Sequence, residues 1–323
     1  MEFRRAFQVP PLKEQLNIRH GVMLVGSCFT DHLGNKLQQH RFSTLQNPHG
    51  ILFNPVSLAR SVTSYIEKKH YNKNDLFFQQ EWWTSWDHHS QYSHADPEVL
   101  LEMINRSQVE AHLFLQKAKW LVLTVGSAWV YQLAEGSIVA NCHKVPTDKF
   151  QKRLLPVEEV LAVLDNMVHR LFMFNPGLRI IFTISPVRHL RDGFVENNRS
   201  KAVLIQAVHH LVEKFEGLFY FPAYELIIDD LRDYRFYAED MVHPNYLATS
   251  YVWEKFSESC IDEESRKFIK EIAPINAALA HKPFQPDSNA HKLFRQKQVE
   301  KLLQLQSSYP FLHFEQEISF FKD

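Results

Sequence analysis

Residues 22–29 read Val-Met-Leu-Val-Gly-Ser-Cys-Phe, a short and fully apolar run followed at once by glycine and serine. Such a run predicts a buried β-strand, because strands covered on both faces are continuously apolar rather than alternating. The segment from Cys28 to Gln39 behind it reads as a helix. A serine between a strand end and a helix start holds its hydroxyl at a sheet edge. Helix N–H groups that no helical carbonyl satisfies lie beside it, and such groups stabilise a negative oxygen forming there. Gly26 lets the chain turn where a Cβ would clash. Ser27 is therefore a candidate nucleophile in search of a base.

Working outward, Trp120–Val125 is a second apolar strand ending at Gly126-Ser127, and Arg179–Ile184 a third ending at Ser185-Pro186. Leu218–Phe221 is a fourth. Helical patterns separate them: Val56 to about Lys68, Pro97 to about Lys117, the stripe Val157, Val160, Leu161, Leu164, Val168 and Leu171, about 198–216, and Tyr246–Glu258. Residues 76–94 read as extended and aromatic, and Tyr131–Ala140 as a small hairpin turning at Glu135-Gly136. Short apolar strands alternating with helices predict an α/β fold, a doubly wound parallel sheet flanked by helices. Ligands of such sheets bind beyond the carboxyl ends of the strands, where Gly26-Ser27, Gly126-Ser127 and Ser185-Pro186 converge. Residues 262–281 and 289–307 are polar helices, so the expected division is a domain over 1–260 and a helical C-terminal extension over 261–323.

Composition narrows the function. The 323 residues carry 36 Lys and Arg against 37 Asp and Glu, a net charge of −1. The basic residues form no stripe, so neither nucleic acid nor an anionic membrane is expected as a partner. No apolar run reaches the ~18 residues of a membrane span. The N-terminus shows no signal-peptide core. Three cysteines, Cys28, Cys142 and Cys260, contain no CxxC pair, which suits reduced thiols and a cytoplasmic location. Cys28 reads as a packing residue, although a helix N-terminus would lower its pKa.

A serine needs a base, because a free hydroxyl is barely ionised at neutral pH. Tyr-Ala-Glu-Asp-Met-Val-His-Pro (237–244) offers Asp240 and His243 three residues apart. That spacing lets the carboxylate hold Nδ1 and leaves Nε2 free to take the serine proton. Fourteen Asp and eighteen His give about 0.8 such pairs by chance, so spacing alone only nominates the pair. A loop histidine capping structure is the alternative. Asp87-His88-His89 and Asn141-Cys142-His143 invite a reading as metal ligands, but no HExxH or cysteine-pair spacing supports one. No metal or other cofactor is expected.

The order of the pieces, serine after the first strand and Asp-x-x-His before the last helix of the sheet domain, is similar to that of the SGNH (GDSL-type) hydrolases. Gly26-Ser27-Cys28-Phe29 resembles the naming motif of the GSCFA family, a bacterial group placed with them. So do Asn-Pro-His-Gly-Ile-Leu-Phe-Asn-Pro (47–55), Leu-Thr-Val-Gly-Ser-Ala-Trp-Val-Tyr (123–131) and Asn-Cys-His-Lys-Val-Pro (141–146). Ser-Pro-Val-Arg-His-Leu-Arg-Asp-Gly (185–193) and residues 230–244 complete the likeness, over roughly 20–250. The resemblance implies a flavodoxin-like three-layer α/β/α fold with Ser27 as nucleophile, His243 as base and Asp240 as its partner. Gly50 would match an oxyanion glycine. The superfamily's Gly-x-Asn-Asp stands here as Gly126-Ser127-Ala128-Trp129, with alanine at the donor position. Asn141, Asn54 and the Ser127 hydroxyl are candidate replacements, and Asn141 reads equally as a turn residue. His89, His143, Arg188 and His189 are expected to line the crevice, with Asn54 and with Trp129 suited to stacking on a sugar or acyl chain. The alternative for Arg188 is an ion pair with acidic residues near 229–233. The expected activity is a serine esterase on an O-acylated small-molecule or glycan (carbohydrate) ester. The alternatives are an O-acyltransferase with the same triad and a non-catalytic module binding carbohydrate or protein. The oligomeric state stays open.

Overall fold

Three hexapeptide strands, β1 (Gly21–Gly26), β6 (Trp120–Val125) and β9 (Arg179–Ile184), lie side by side at the centre of the computed structural model, which describes residues 5–322. Around them, in chain order, come α1 (Cys28–Gln39), β2 (Ser43–Gln46), α2 (Pro55–Glu67) and a meander of β3 (Phe77–Gln79), β4 (Trp82–Thr84) and β5 (Ser93–His94). Then follow α3 (Pro97–Lys117), the pair β7 (Trp129–Gln132) and β8 (Gln151–Leu154), α4 (Val157–Phe174), α5 (Phe194–Lys214) and β10 (Leu218–Phe221). The chain ends in the short turn α6 (Ala223–Glu225), α7 (Tyr246–Cys260), α8 (Glu263–Ala280), α9 (Asn289–Ser308) and α10 (Glu315–Lys322).

The main sheet has five strands in the order β10-β9-β6-β1-β2, and every neighbouring pair is parallel. Side chains alternate across it. Met23 and Val25 of β1 pack with Leu58 and Val62 of α2, Leu164 and Val168 of α4 and Leu204 and Val208 of α5. Val22 and Leu24 face the other way, toward Leu33 and Leu37 of α1 and Val252 and Phe256 of α7. Both faces of β1 are therefore dry, which is why its sequence is unbroken apolar. The fold is a three-layer α/β/α sandwich, as the alternation of strands and helices predicts. Phe268, Ile272, Leu302 and Phe321 of the C-terminal helices belong to the same apolar cluster as α1 and α7. No helix is long and apolar enough to cross a membrane among the described residues.

Strand order reverses at β1, whose two neighbours are β2 and β6. A crevice opens at such a switch point, outside the carboxyl ends of the strands, and Ser27 and Gly126 flank it. Gly26 has φ +150°, and a Cβ there would overlap the Thr124 carbonyl oxygen of the neighbouring strand. Glycine is thus required by the close approach of β1 to β6.

The structure departs from the sequence reading at several places. Ser43–Gln46 is a fifth strand, partly exposed at the sheet edge and too polar to read as buried. The 129–140 segment turns at Glu135-Gly136 as expected, but its main partner is Gln151–Leu154, with only a single bridge from Gln132 to Ile138. Helix α5 begins at Phe194, before residue 198, because Gly193 (φ +96°) provides its left-handed entry. The sequence reading also lacked the short terminal helix α10.

Candidate active site

Ser27 is the N-cap residue of α1, with extended backbone (φ −71°, ψ 172°) and a side chain that does not cap the helix. It is fully buried. Among the described residues Ser27 Oγ has no hydrogen-bond partner. Its own N–H is committed, donating to the Thr124 carbonyl at 3.1 Å. The neighbouring Cys28 thiol is pushed up by burial and by the charge of Asp31, against the opposing pull of the Cys28 and Phe29 N–H groups. Burial outweighs the helix N-terminus, so Cys28 is less acidic than a helix start alone would make it.

Asp240 and His243 form the pair that their spacing suggests. Tyr237 and Pro244 bridge the base of a tight loop, Ala238 N–H donates to the His243 carbonyl at 2.7 Å, and Met241 takes φ +58° at the tip. Asp240 Oδ1 accepts the Val242 and His243 N–H groups at 2.9 and 3.0 Å, which fixes the carboxylate. Its Oδ2 accepts from His243 Nδ1 at 2.6 Å. The His243 N–H and imidazole, then the Val242 N–H, hold the Asp240 carboxyl down at about 2. An ionised carboxylate only accepts, so Nδ1 carries a proton, and with that proton alone the ring presents Nε2 as acceptor. Both side chains are about half exposed.

His189 lies in the loop after β9. Its N–H donates to Asn197 Oδ1 at 2.9 Å, and its ring meets Phe53 edge-on, with centroids 5.4 Å apart. Nε2 is buried and without a hydrogen-bond partner among the described residues. A Cβ built on Gly126 would lie 3.3 Å from this nitrogen and 3.4 Å from Ser27 Cβ, so imidazole and serine meet at one corner of the crevice. Burial, then the charges of Lys201 and His243, push the His189 imidazole down to about 3. The charge of His243 also contributes, after burial and Asp31, at His32 on α1.

Other candidates divide. A cavity of about 580 Å³ brings together Asn54, Ser127, Trp129, Asn141 and His189. Asn54 caps α2 through Ser57, with Oδ1 accepting its N–H at 2.8 Å and Nδ2 bonded to its hydroxyl at 3.0 Å. Asn141 Oδ1 accepts the His143 N–H at 2.8 Å, the turn geometry of the structural alternative. Ser127 Oγ accepts the Trp129 N–H at 3.1 Å and lies 3.3 Å from Ser200 Oγ. Trp129 Nε1 donates to the Glu196 carbonyl at 3.1 Å. Ala128 is fully buried in the apolar core. The Gly50 N–H is taken by the Asn47 carbonyl at 2.7 Å, and His89 packs against Gly50.

His143 belongs elsewhere. Its ring nitrogens engage Thr84 Oγ1 at 2.8 Å and the Ser85 carbonyl at 2.9 Å under Phe77 and Trp86. It borders a second hollow of about 490 Å³ next to Asn141 and Trp82. The Arg188 guanidinium lies 4.2 Å above the Tyr237 ring. Asp87 pairs with Arg60 at 2.9 Å and Lys69 at 3.3 Å, and His88 Nδ1 lies 3.1 Å from Ser85 Oγ. A hollow of about 1070 Å³ beside β10 contains none of the candidate residues.

Two residues to which the sequence reading gave no role frame the site. Fully buried Lys201 donates from Nζ to the Gly126 and Ser185 carbonyls at 2.7 and 2.6 Å, tying the carboxyl ends of β6 and β9. Burial pushes its ammonium down to about 7. The available signal was periodicity: Asn197, Ser200 and Lys201 sit on the stripe continued by Leu204, Val208 and Leu211, polar residues on an otherwise apolar face. Asn47 takes the Gly26 N–H on Oδ1 at 2.8 Å and donates to Asp31 Oδ1 at 2.7 Å, fixing the turn before Ser27.

The molecule is thus a three-layer α/β/α protein with a serine at the end of its first strand and an Asp–His pair in the loop before α7. The profile of the GSCFA family matches residues 21–256, and the chain belongs to that family. A second profile, "GSCFA domain protein, C-terminal domain", matches residues 272–323. No curated protein matches the chain. Among solved structures, a carbohydrate esterase family 3 from Talaromyces cellulolyticus aligns at 9% identity and TM-score 0.39, over 79% of this chain and 99% of that one.

Proposed function

We propose that the protein is a serine esterase of SGNH type acting on an O-acylated, carbohydrate-borne substrate through Ser27, His243 and Asp240. The observation that carries this reading is the Asp240–His243 contact at 2.6 Å, in a loop whose N–H groups lock the carboxylate. That anchoring keeps the imidazole in one orientation, as a general base requires. Ser27 Oγ attacks the ester carbonyl carbon and passes its proton to His243 Nε2; the imidazolium returns it to the departing alcohol. Water then releases the acyl group by the reverse sequence. A sugar hydroxyl in its place would make the protein an acyltransferase.

One observation favours a non-catalytic binding module: Ser27 is buried and its hydroxyl touches neither His243 nor any other acceptor among the described residues. Catalytic contacts often tighten only around substrate, and turnover separates the readings. p-Nitrophenyl acetate and an O-acetylated oligosaccharide, with and without added sugar acceptor, should be consumed by wild type and spared by Ser27→Ala. Binding of the oligosaccharide without turnover would establish the module instead.

A further inference from the structure

We propose that His189 supplies, from Nε2–H, the hydrogen bond that holds the oxyanion formed at Ser27, in the place of the side-chain donor that Ala128 lacks. The inference rests on the reading of Ser27 as nucleophile and goes beyond it by assigning the stabilising group.

Geometry gives the first reason. His189 Nε2 and Ser27 Cβ lie 3.3 and 3.4 Å from one point above Gly126, and the Phe53 carbonyl oxygen, also 3.4 Å from it, is taken up by the Gly126 and Ser127 N–H groups. An oxygen bonded to the carbon that Ser27 attacks falls in this corner, and only glycine leaves it empty. The second reason is the orphaned state of two neighbouring atoms. Ser27 Oγ and His189 Nε2 are both buried without a hydrogen-bond partner among the described residues. A buried unpaired polar group costs about 1–3 kcal/mol, and two in one corner call for a polar atom that arrives from outside. An acyl carbonyl fits the corner: its oxygen accepts from Nε2–H while its carbon lies within reach of Oγ.

Several competing donors are occupied. Ser27 N–H goes to the Thr124 carbonyl, Gly50 N–H to the Asn47 carbonyl, and the Gly126 and Ser127 N–H groups to the Phe53 carbonyl. Lys201 Nζ holds two carbonyls, and the Asn54 amide is bonded to Ser57. His189 is also held in place, through Asn197 and the edge of Phe53.

Its electrostatics suit a donor and not a base. Burial holds its pKa at about 3, so the ring is neutral at physiological pH and keeps a single proton. A neutral imidazole in such a site polarises a carbonyl without transferring a proton. His243, oriented by Asp240, is the partner that moves the proton. In the step, the Oγ–carbon bond forms as the carbonyl π pair moves onto oxygen, and the serine proton passes to His243. His189 keeps its proton and donates only a hydrogen bond. Collapse breaks the bond to the alkoxide, which takes the proton back from His243.

Two measurements test the assignment. In ester turnover, His189→Ala should lower kcat by about 10²–10³-fold with KM within about threefold, and His189→Gln, which keeps an N–H donor, should recover much of the loss. A rise in KM with kcat retained would make His189 a binding residue and overturn the proposal. Independently of activity, ¹⁵N-histidine NMR of wild type, assigned with His189→Gln, should show the Nε2–H tautomer, neutral from pH 8 to 5. The Nδ1–H tautomer would overturn it. If Ser27→Ala turns over as wild type does, the nucleophile reading fails, and the tautomer still decides whether this corner holds a donor.

Discussion

Lys201→Met removes a charge-bearing side chain that is fully buried at the strand ends, and its consequence changes with pH. Two effects oppose each other. Losing Nζ strands the Gly126 and Ser185 carbonyls, which the ammonium bonds at 2.7 and 2.6 Å. At about 1–3 kcal/mol for each stranded group, the loss is about 2–6 kcal/mol. Against this, wild type bears the cost of burying the amine, seen in the fall of its pKa from the ordinary 10.5 to about 7. That fall corresponds to about 5 kcal/mol at pH 7 and below. Between pH 7 and 10.5 the unfolded chain holds the proton and the folded one does not. Wild type therefore gains stability with rising pH, by about 1.4 kcal/mol per pH unit, and the methionine variant does not. A neutral amine still has two N–H groups for two carbonyls, so the bonds survive deprotonation. Near pH 7 the effects offset each other and the variant should unfold close to wild type; at pH 9–10 it should be weaker by several kcal/mol. Urea unfolding followed by tryptophan fluorescence at pH 7, 8, 9 and 10, in a Cys28→Ser background that removes the coupled thiol, measures the difference. Parallel stability curves for the two proteins would refute the reasoning.

Further outcomes follow from the same contacts. Asp240→Asn should lower ester kcat by about 10³–10⁴-fold with KM unchanged, because an amide no longer fixes the proton on Nδ1; steady-state kinetics reads it. Gly26→Ala, whose Cβ would overlap the Thr124 carbonyl oxygen at φ +150°, should cost about 2–4 kcal/mol in strain and overpacking. A depressed thermal midpoint would report it. Burial holds His49 and His189 at about 3 and His143 at about 4. The unfolded chain therefore takes up protons that the folded one refuses below pH 6.5. Stability should fall on acidification from pH 6.5 toward 4, by up to about 1.4 kcal/mol per pH unit for each ring. Urea midpoints at pH 7, 6 and 5 check this, and an unchanged midpoint would contradict it.

What the sequence disclosed follows from how local each signal is. Strands β1, β6 and β9 are dry on both faces, so their apolar runs announce them; β2 is a half-covered edge and its Ser-Thr-Leu-Gln carries no such mark. Asp240 and His243 are legible because both belong to one loop. Ser27 is legible because strand, glycine, serine and helix are consecutive. Lys201 acquires meaning only when α5 carries it under Gly126 and Ser185, and Asn47 only when β2 lies beside β1. Arg188 offers a charge that suggests an acidic partner, whereas the fold gives it the face of Tyr237. His189 stood out by motif, yet the missing bond at Nε2, on which its proposed role rests, exists only in three dimensions.

The central claim is that Ser27 is an activated nucleophile, and covalent trapping tests it most directly. Incubation with a fluorophosphonate followed by peptide mapping should place one phosphonyl group on Ser27, abolished in Ser27→Ala and slowed in His243→Ala. An unlabelled wild type, or equal labelling of Ser27→Ala, would contradict the account.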